Sequence, residues 1–379
     1  ATLLVSAVVL GMHFFGTERA GLLKDDAGEY VEMAESGRFL ARLPYTFRVL
    51  SPLLAGGWPG GPIAGFTVLT VGSLVLASLA LYAYQRVLGL GWPAALAGSI
   101  LFATSGGAVR LLTTPTYVDA VSYLAEAVAF LALASGWFWP FLIAVVLGTL
   151  NRETGLLLIP LYFAVRSTSE RPDGVRPDAV AGSAPHPPTV APRYTATLVV
   201  LLPLGALTAA ALLKLWSGGL LASGALATLA PDPRAFRQGI LPLADLFDLF
   251  STFGALWLLA VRNLPGPTDF QRRALVFGVL VVLQLVIARG DEGRVLSHLF
   301  PIVVPLAMLE VQRLLTSSLP RHQALGALLV LACAASMVHA RWTLLEPATL
   351  RYALVASGVV VAVAITTLAG WIRPIVGAR

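Results

Sequence analysis

Asp25-Asp26 is followed one helical turn later by Tyr30 and, after an intervening stretch, by Phe47-Arg48-Val49-Leu50. A carboxylate in this setting can take a proton from a hydroxyl as a general base. An arginine offers a planar, permanently charged fork that binds phosphate through two parallel hydrogen bonds. The commoner role for such a surface acid is structural, with Asp26 as the cap of a helix from Glu29 to Arg38. Three more groups of residues have the same mixed character. Thr113-Thr114-Pro115-Thr116-Tyr117-Val118-Asp119 follows Arg110 and puts Asp119 at a helix start, with Glu126 two turns further on. There Asp119 can orient an arginine or a sugar hydroxyl, or simply complement the helix dipole. Asn151-Arg152-Glu153 interrupts an apolar stretch that otherwise runs from Trp137 to Val165. Arg289-Gly290-Asp291-Glu292-Gly293-Arg294-Val295-Leu296-Ser297-His298 packs two arginines, two glycines and a histidine into one turn, the composition of an anion site or of a solvated loop.

These charges stand out because the chain avoids charge elsewhere. Of its 379 residues 57% are hydrophobic and 12% charged, with a mean hydropathy of +0.80. A soluble domain carries about 25% charged residues. Apolar runs of the length needed to cross a hydrocarbon core about 30 Å thick recur throughout. The expected fold is therefore all-α: a polytopic bundle of about 10 to 12 spans, because helices satisfy their own backbone in lipid. The first run, from Thr2 to Phe15, is expected as a retained span rather than a cleaved leader. In the first external loop, residues 17–57, the segment from Asp26 to Arg38 sets Tyr30, Met33 and Ala34 opposite Glu29, Glu32 and Glu35, and so predicts an amphipathic helix lying at the interface. Gly37 is its expected stop.

The chain divides on paper into a membrane module over 1–166, a proline-rich cytoplasmic linker over 167–193 and a second transmembrane module over 194–379. The stretch from Arg166 to Arg193 contains six prolines, which suits a linker. A charge at the bilayer centre costs roughly 2.5 to 3.5 kcal/mol even on the lenient insertion scale. Arg152 and Glu153 therefore read as an internal polar site or as a reversal between two short spans.

Composition also excludes several classes. The single cysteine, Cys333, sits in an apolar run and permits no intrachain disulfide. The five histidines are scattered without zinc-ligand spacing. No P-loop or dinucleotide fingerprint is present. The pI of about 9.8 arises from arginines flanking the spans, so the expected partner is membrane lipid phosphate and not nucleic acid.

The pattern Asp26-Ala27-x-x-Tyr30-x-x-Met33-Ala34 with Gly37, then Phe47-Arg48-Val49-Leu50-Ser51-Pro52-Leu53-Leu54, resembles the first external loop of GT-C-class membrane glycosyltransferases. Asn151-Arg152-Glu153-Thr154-Gly155 is similar to the Lys-Glu-Thr-Ala-like motif between their spans, and Arg294 to Pro305 to a later turn. The resemblance covers about the first 165 residues and that short later stretch. It implies an inverting sugar transfer from a polyprenyl-phosphate donor to an acceptor hydroxyl of a glycan, lipid or protein. The site would lie on the extracytoplasmic side of a bacterial-type inner membrane. Asp26, with Asp25 in reserve, would be the base. Arg48, Arg152 and Arg294, supported by His298, would hold the lipid phosphate. Tyr30, Arg110, Asp119, Glu153 and Arg289 complete the expected substrate-binding set. No cofactor is required by this scheme, although the Asp25/Asp26 pair admits a divalent metal. The alternative is a transporter or flippase of a lipid-linked or anionic substrate using the same buried charges.

Overall fold

The computed structural model describes residues 1–15, 26–37, 47–166, 192–216, 250, 252–264, 266–285, 292–337 and 348–371. Asp25, Arg289 and nearly all of the expected linker lie outside the described residues. Among those described every regular element is helical. In chain order they are α1 (Thr2–Phe15), α2 (Asp26–Ser36), α3 (Leu50–Gly56), α4 (Pro62–Val87), α5 (Trp92–Ala103), α6 (Gly106–Thr113), α7 (Asp119–Ser135) and α8 (Phe138–Asn151). A 3-10 turn (Glu153–Leu157) leads to α9 (Leu158–Arg166). Then follow α10 (Pro192–Trp216), α11 (Leu256–Arg262), α12 (Asp269–Leu285), α13 (Glu292–Ser297), α14 (Phe300–Leu315), α15 (Pro320–Ser336) and α16 (Ala348–Trp371).

Two of these helices, α4 and α10, are long and apolar enough to cross a membrane, and a third span results if α5 and α6 count as one. That pair bends by 47° where the Ser105 hydroxyl caps α6, accepting from Ala108 N at 3.4 Å. Other apolar helices are shorter; α8, for example, has 14 residues and rises only about 21 Å. Their flanks are nonetheless greasy. Leu76 on α4, Ile143 on α8, Leu201 on α10, Val279 on α12, Leu331 on α15 and Val360 on α16 are all exposed.

The core lies between α4, α5, α7 and α14. Phe102 stacks on Phe300 with ring centroids 4.3 Å apart, and Tyr84 meets Phe130 edge-on at 5.7 Å. Cys333 is buried, as a packing residue would be. A smaller cluster of Tyr30, Val31, Ala55, Phe66 and Val118 seats α2 on α3, α4 and the start of α7. The expected amphipathic helix is thus α2, which buries Ala27, Tyr30, Val31 and Met33 while Glu32 and Glu35 face out. It stops before Gly37, whose φ of 61° is a left-handed conformation that glycine adopts without steric cost.

The bundle has two unlike ends. At one, α7 begins, α8 finishes and α13 runs into α14; Asn151 of α8 donates to Val118 O at 2.7 Å across that end. At the other, Phe270 of α12 meets Tyr84 of α4, Gly91 N donates to Gln312 near the finish of α14, and Arg273 reaches the carbonyls of Ala164 and Val165.

Candidate active site

Local sequence explains how each charged side chain reaches the first of these ends. Asp26 and Tyr30 are four residues apart on α2 and so share one face. Arg48 sits immediately ahead of α3, where Val49 N donates to Leu150 O at 3.0 Å. Asp119 opens α7, where its charge complements the helix dipole. Arg152 lies at the break after α8 with φ −157° and ψ 141°. That break depends on Gly155: a Cβ there would stand 2.4 Å from Thr149 N and 2.5 Å from Gly148 C, both backbone atoms. Asn151 clamps the neighbourhood, accepting from Ser51 at 2.5 Å and donating to Ser122 at 2.8 Å.

These elements bring together most of the residues expected from the sequence. Arg294, from α13, donates Nη1 to Asp26 at 2.8 Å and Nη2 to Asp119 Oδ2 at 2.7 Å, with Nε 3.2 Å from the same oxygen. Arg152 pairs with the other Asp119 oxygen. Asp119 is fully buried, so two guanidiniums share one carboxylate away from water. Arg48 forms a second clasp: its Nε and Nη2 grip Glu153 at 3.0 and 2.6 Å, and its Nη1 donates to the Tyr30 hydroxyl at 2.6 Å. Arg110, on the last turn of α6, lies 5.6 Å from the Tyr117 ring centre, and Arg294 lies 4.5 Å from it. Both distances are within cation–π reach.

His298 sits beneath this platform. Its Nδ1 is 2.6 Å from Glu126 Oε1 and its Nε2 is 3.9 Å from Asp119 Oδ1. Asp119 and Glu126 are two helical turns apart on α7, so the imidazole spans the gap between two carboxylates on one helix face.

The acids differ in access. Asp119 and Glu126 are sealed, whereas the Asp26 side chain is 12% exposed and that of Glu153 is 38% exposed. Glu153 lies in the turn between α8 and α9. Burial acts to raise its carboxyl, but the charge and hydrogen bonds of Arg48 outweigh this and hold it down at about 2. Burial raises the Tyr30 phenol above its ordinary value against the pull of Arg48 and Arg294. Glu153 is therefore a poor proton acceptor, locked in a two-pronged ion pair. Asp26 receives one nitrogen of a guanidinium whose other two are directed at Asp119, and is the better-placed base.

The structure leaves two expected residues, Asp25 and Arg289, outside the described set. It adds Tyr117, Glu126 and Asn151. Glu126 could be found from its spacing to Asp119, and Asn151 from the polar interruption that it opens. Nothing in the spacing marks Tyr117 as a platform for two arginines. Among the described residues no group of three or more His, Cys, Asp or Glu side chains is arranged to hold a metal. Comparison of the chain with protein-family models, curated proteins and solved structures returns no match.

Proposed function

We infer that this chain is a polytopic membrane glycosyltransferase that moves a sugar from a polyprenyl-phosphate donor to an acceptor hydroxyl, with Asp26 as general base. The observation that carries the reading is Arg294 joining Asp26 to the buried Asp119. It joins the partly exposed Asp26 carboxylate of α2 to a guanidinium, the kind of group that binds phosphate through two parallel hydrogen bonds. Arg294 Nη1 is shared: when the donor's phosphate arrives, this nitrogen turns to a phosphate oxygen and releases the Asp26 carboxylate to take the acceptor's proton. The acceptor oxygen attacks the anomeric carbon with inversion, and the bond to the phosphate oxygen breaks. Arg294 and Arg152, fixed in place by Asp119, offset the charge growing on the departing polyprenyl phosphate.

The membrane part of the reading draws on the two or three helices apolar enough to cross a membrane and on exposed apolar side chains on six helices. On this reading the shorter apolar helices and the bent α5–α6 pair are further or broken spans, which are tolerated where protein buries their ends. Arg86, Arg272, Arg273 and Arg313 lie at the end away from the site, which favours that end as cytoplasmic and the site as extracytoplasmic.

The test is transfer from a panel of labelled polyprenyl-phosphate sugars in proteoliposomes, with and without EDTA. Wild-type activity that falls by about 10² to 10⁴ in Asp26→Asn, with donor binding retained, is the expected result. Full activity in Asp26→Asn overturns the assignment of the base. The broken α5–α6 span beside the site favours one other reading, a lipid-linked-substrate transporter. Labelled lipid crossing the bilayer without any transfer would establish it in place of ours.

A further inference from the structure

The other end of the bundle holds a second, differently built cation site. Between the finish of α7, the start of α8 and the finish of α9 lies a cleft of about 200 Å³, lined by Leu133, Trp137, Phe138, Phe141, Tyr162 and Arg166. Phe141 and Tyr162 stack in near-parallel at 5.4 Å, and the Arg166 guanidinium stands 5.3 Å from the Tyr162 ring centre. Arg166 donates to two hydroxyls, those of Tyr162 and Thr195. Both are neutral. Among the described residues no carboxylate lies within ion-pair distance of the half-buried Arg166. This contrasts with Arg48, Arg152, Arg294, Arg272, Arg273 and Arg313, each of which has a carboxylate within ion-pair distance.

A cation oriented by two neutral hydroxyls on the lining of an aromatic cleft complements an anion with an apolar body. The cleft is too small for a whole amphiphile, because pockets that enclose drug-sized ligands run from about 300 Å³ upward. It is large enough for one end of a chain whose remainder stays outside. Trp137, Trp139 and Phe163 beside it are exposed, and aromatic rings of this kind settle at the boundary between headgroups and hydrocarbon.

We propose that this cleft binds one anionic phospholipid from the leaflet at the basic end, its phosphate on Arg166 and the start of one acyl chain along Phe138, Phe141 and Leu133. Two side-chain hydroxyls steer the guanidinium and leave its charge available. The site lies at the end of the bundle away from Asp26 and serves as a lipid anchor for the α7–α8–α9 junction. The proposal rests on the membrane reading of the chain and is independent of the sugar-transfer reaction.

The experiment uses the full chain in detergent, given equal amounts of phosphatidylglycerol and phosphatidylcholine and weighed intact by native mass spectrometry. No sugar donor is present, so a protein inert in transfer still reports on this site. One retained phosphatidylglycerol is expected, reduced at least about tenfold in Arg166→Gln, which is what losing about 1.4 kcal/mol of binding produces. Arg272→Gln, which removes an exposed arginine at the same end, should retain the lipid. Leu133→Trp, which fills the cleft while leaving Arg166 in place, should exclude it, so the test does not depend on the fold tolerating one substitution. Equal retention of the two lipids, or retention of phosphatidylglycerol by both Arg166→Gln and Leu133→Trp, overturns the proposal.

Discussion

The two ends of this bundle hold the same side chain in opposite circumstances. At the Asp26 end Arg48, Arg152 and Arg294 are locked to acids, and the one Asp119 carboxylate serves both Arg152 and Arg294. At the other end Arg166 leans on a tyrosine and a threonine. A paired arginine is mainly a structural part whose nitrogens become available only when a competitor displaces a carboxylate. One held only by neutral hydroxyls among the described residues keeps its charge available and gains little for the fold. The comparison therefore predicts opposite consequences for loss of charge at the two ends.

The largest effect should come from removing the acid that two arginines share. Asp119→Ala leaves Arg152 and Arg294 buried without that partner, and breaking a buried pair in this way costs about 3 to 5 kcal/mol. Thermal unfolding in detergent should show it plainly, whereas Arg166→Gln should shift stability by under about 1 kcal/mol. If the two variants unfold alike, the distinction between the ends fails.

A middle-sized effect should follow from Gly155→Ala. Its Cβ would collide with the backbone of Gly148 and Thr149, and overpacking of this kind costs about 1 to 3 kcal/mol. Because the same turn carries Arg152 and Glu153, the variant should also weaken donor binding under the proposed sugar-transfer function. An unchanged melting temperature would show that the break after α8 does not depend on this glycine.

The smallest effect concerns pH. The Glu153 carboxyl is held at about 2 in the folded chain, below an ordinary value near 4.3. A group depressed on folding contributes stability that is complete above its unfolded value and fades as pH falls toward the folded one. Stability should therefore drop between about pH 4 and pH 2, with a shallower drop in Glu153→Gln. Identical acid profiles for the two proteins would remove Glu153 from the account. Because the side chain is 38% exposed, solvent screening keeps this contribution modest.

Much of the site could be read from the chain, though not its wiring. The i, i+4 spacing of Asp26 and Tyr30 puts them on one face, and the structure brings both to Arg294 and Arg48. The polar break at Asn151-Arg152-Glu153 is legible because charge inside an apolar run demands an explanation. That Arg294 would find Asp119, 175 positions earlier, is not legible: local periodicity says which face a residue occupies but not which distant face it meets. The role of Tyr117 is hidden for the same reason, since it depends on Arg294 of α13, whereas the spacing of Glu126 from Asp119 shows their shared face but not the His298 that joins them. Hydropathy was a better guide to the class of element than to its length. Residues 92–113 form one apolar tract that the Ser105 cap divides into two bent helices, and the run after Pro140 ends at Asn151 after a helix too short to cross a membrane alone.

The long reach of Arg294 also has a consequence in time. Asp119 leaves the ribosome with Arg152 following closely, but the guanidinium that links it to Asp26 is translated 175 residues later. At ordinary synthesis rates that is a delay of roughly 10 to 35 s. Throughout that interval the nascent chain holds the acids and Arg152 but not the bridge between them. The completed site therefore registers that the second half of the chain has arrived and packed correctly. A chain halted before residue 294 would leave Asp26 and Asp119 without the guanidinium that joins them.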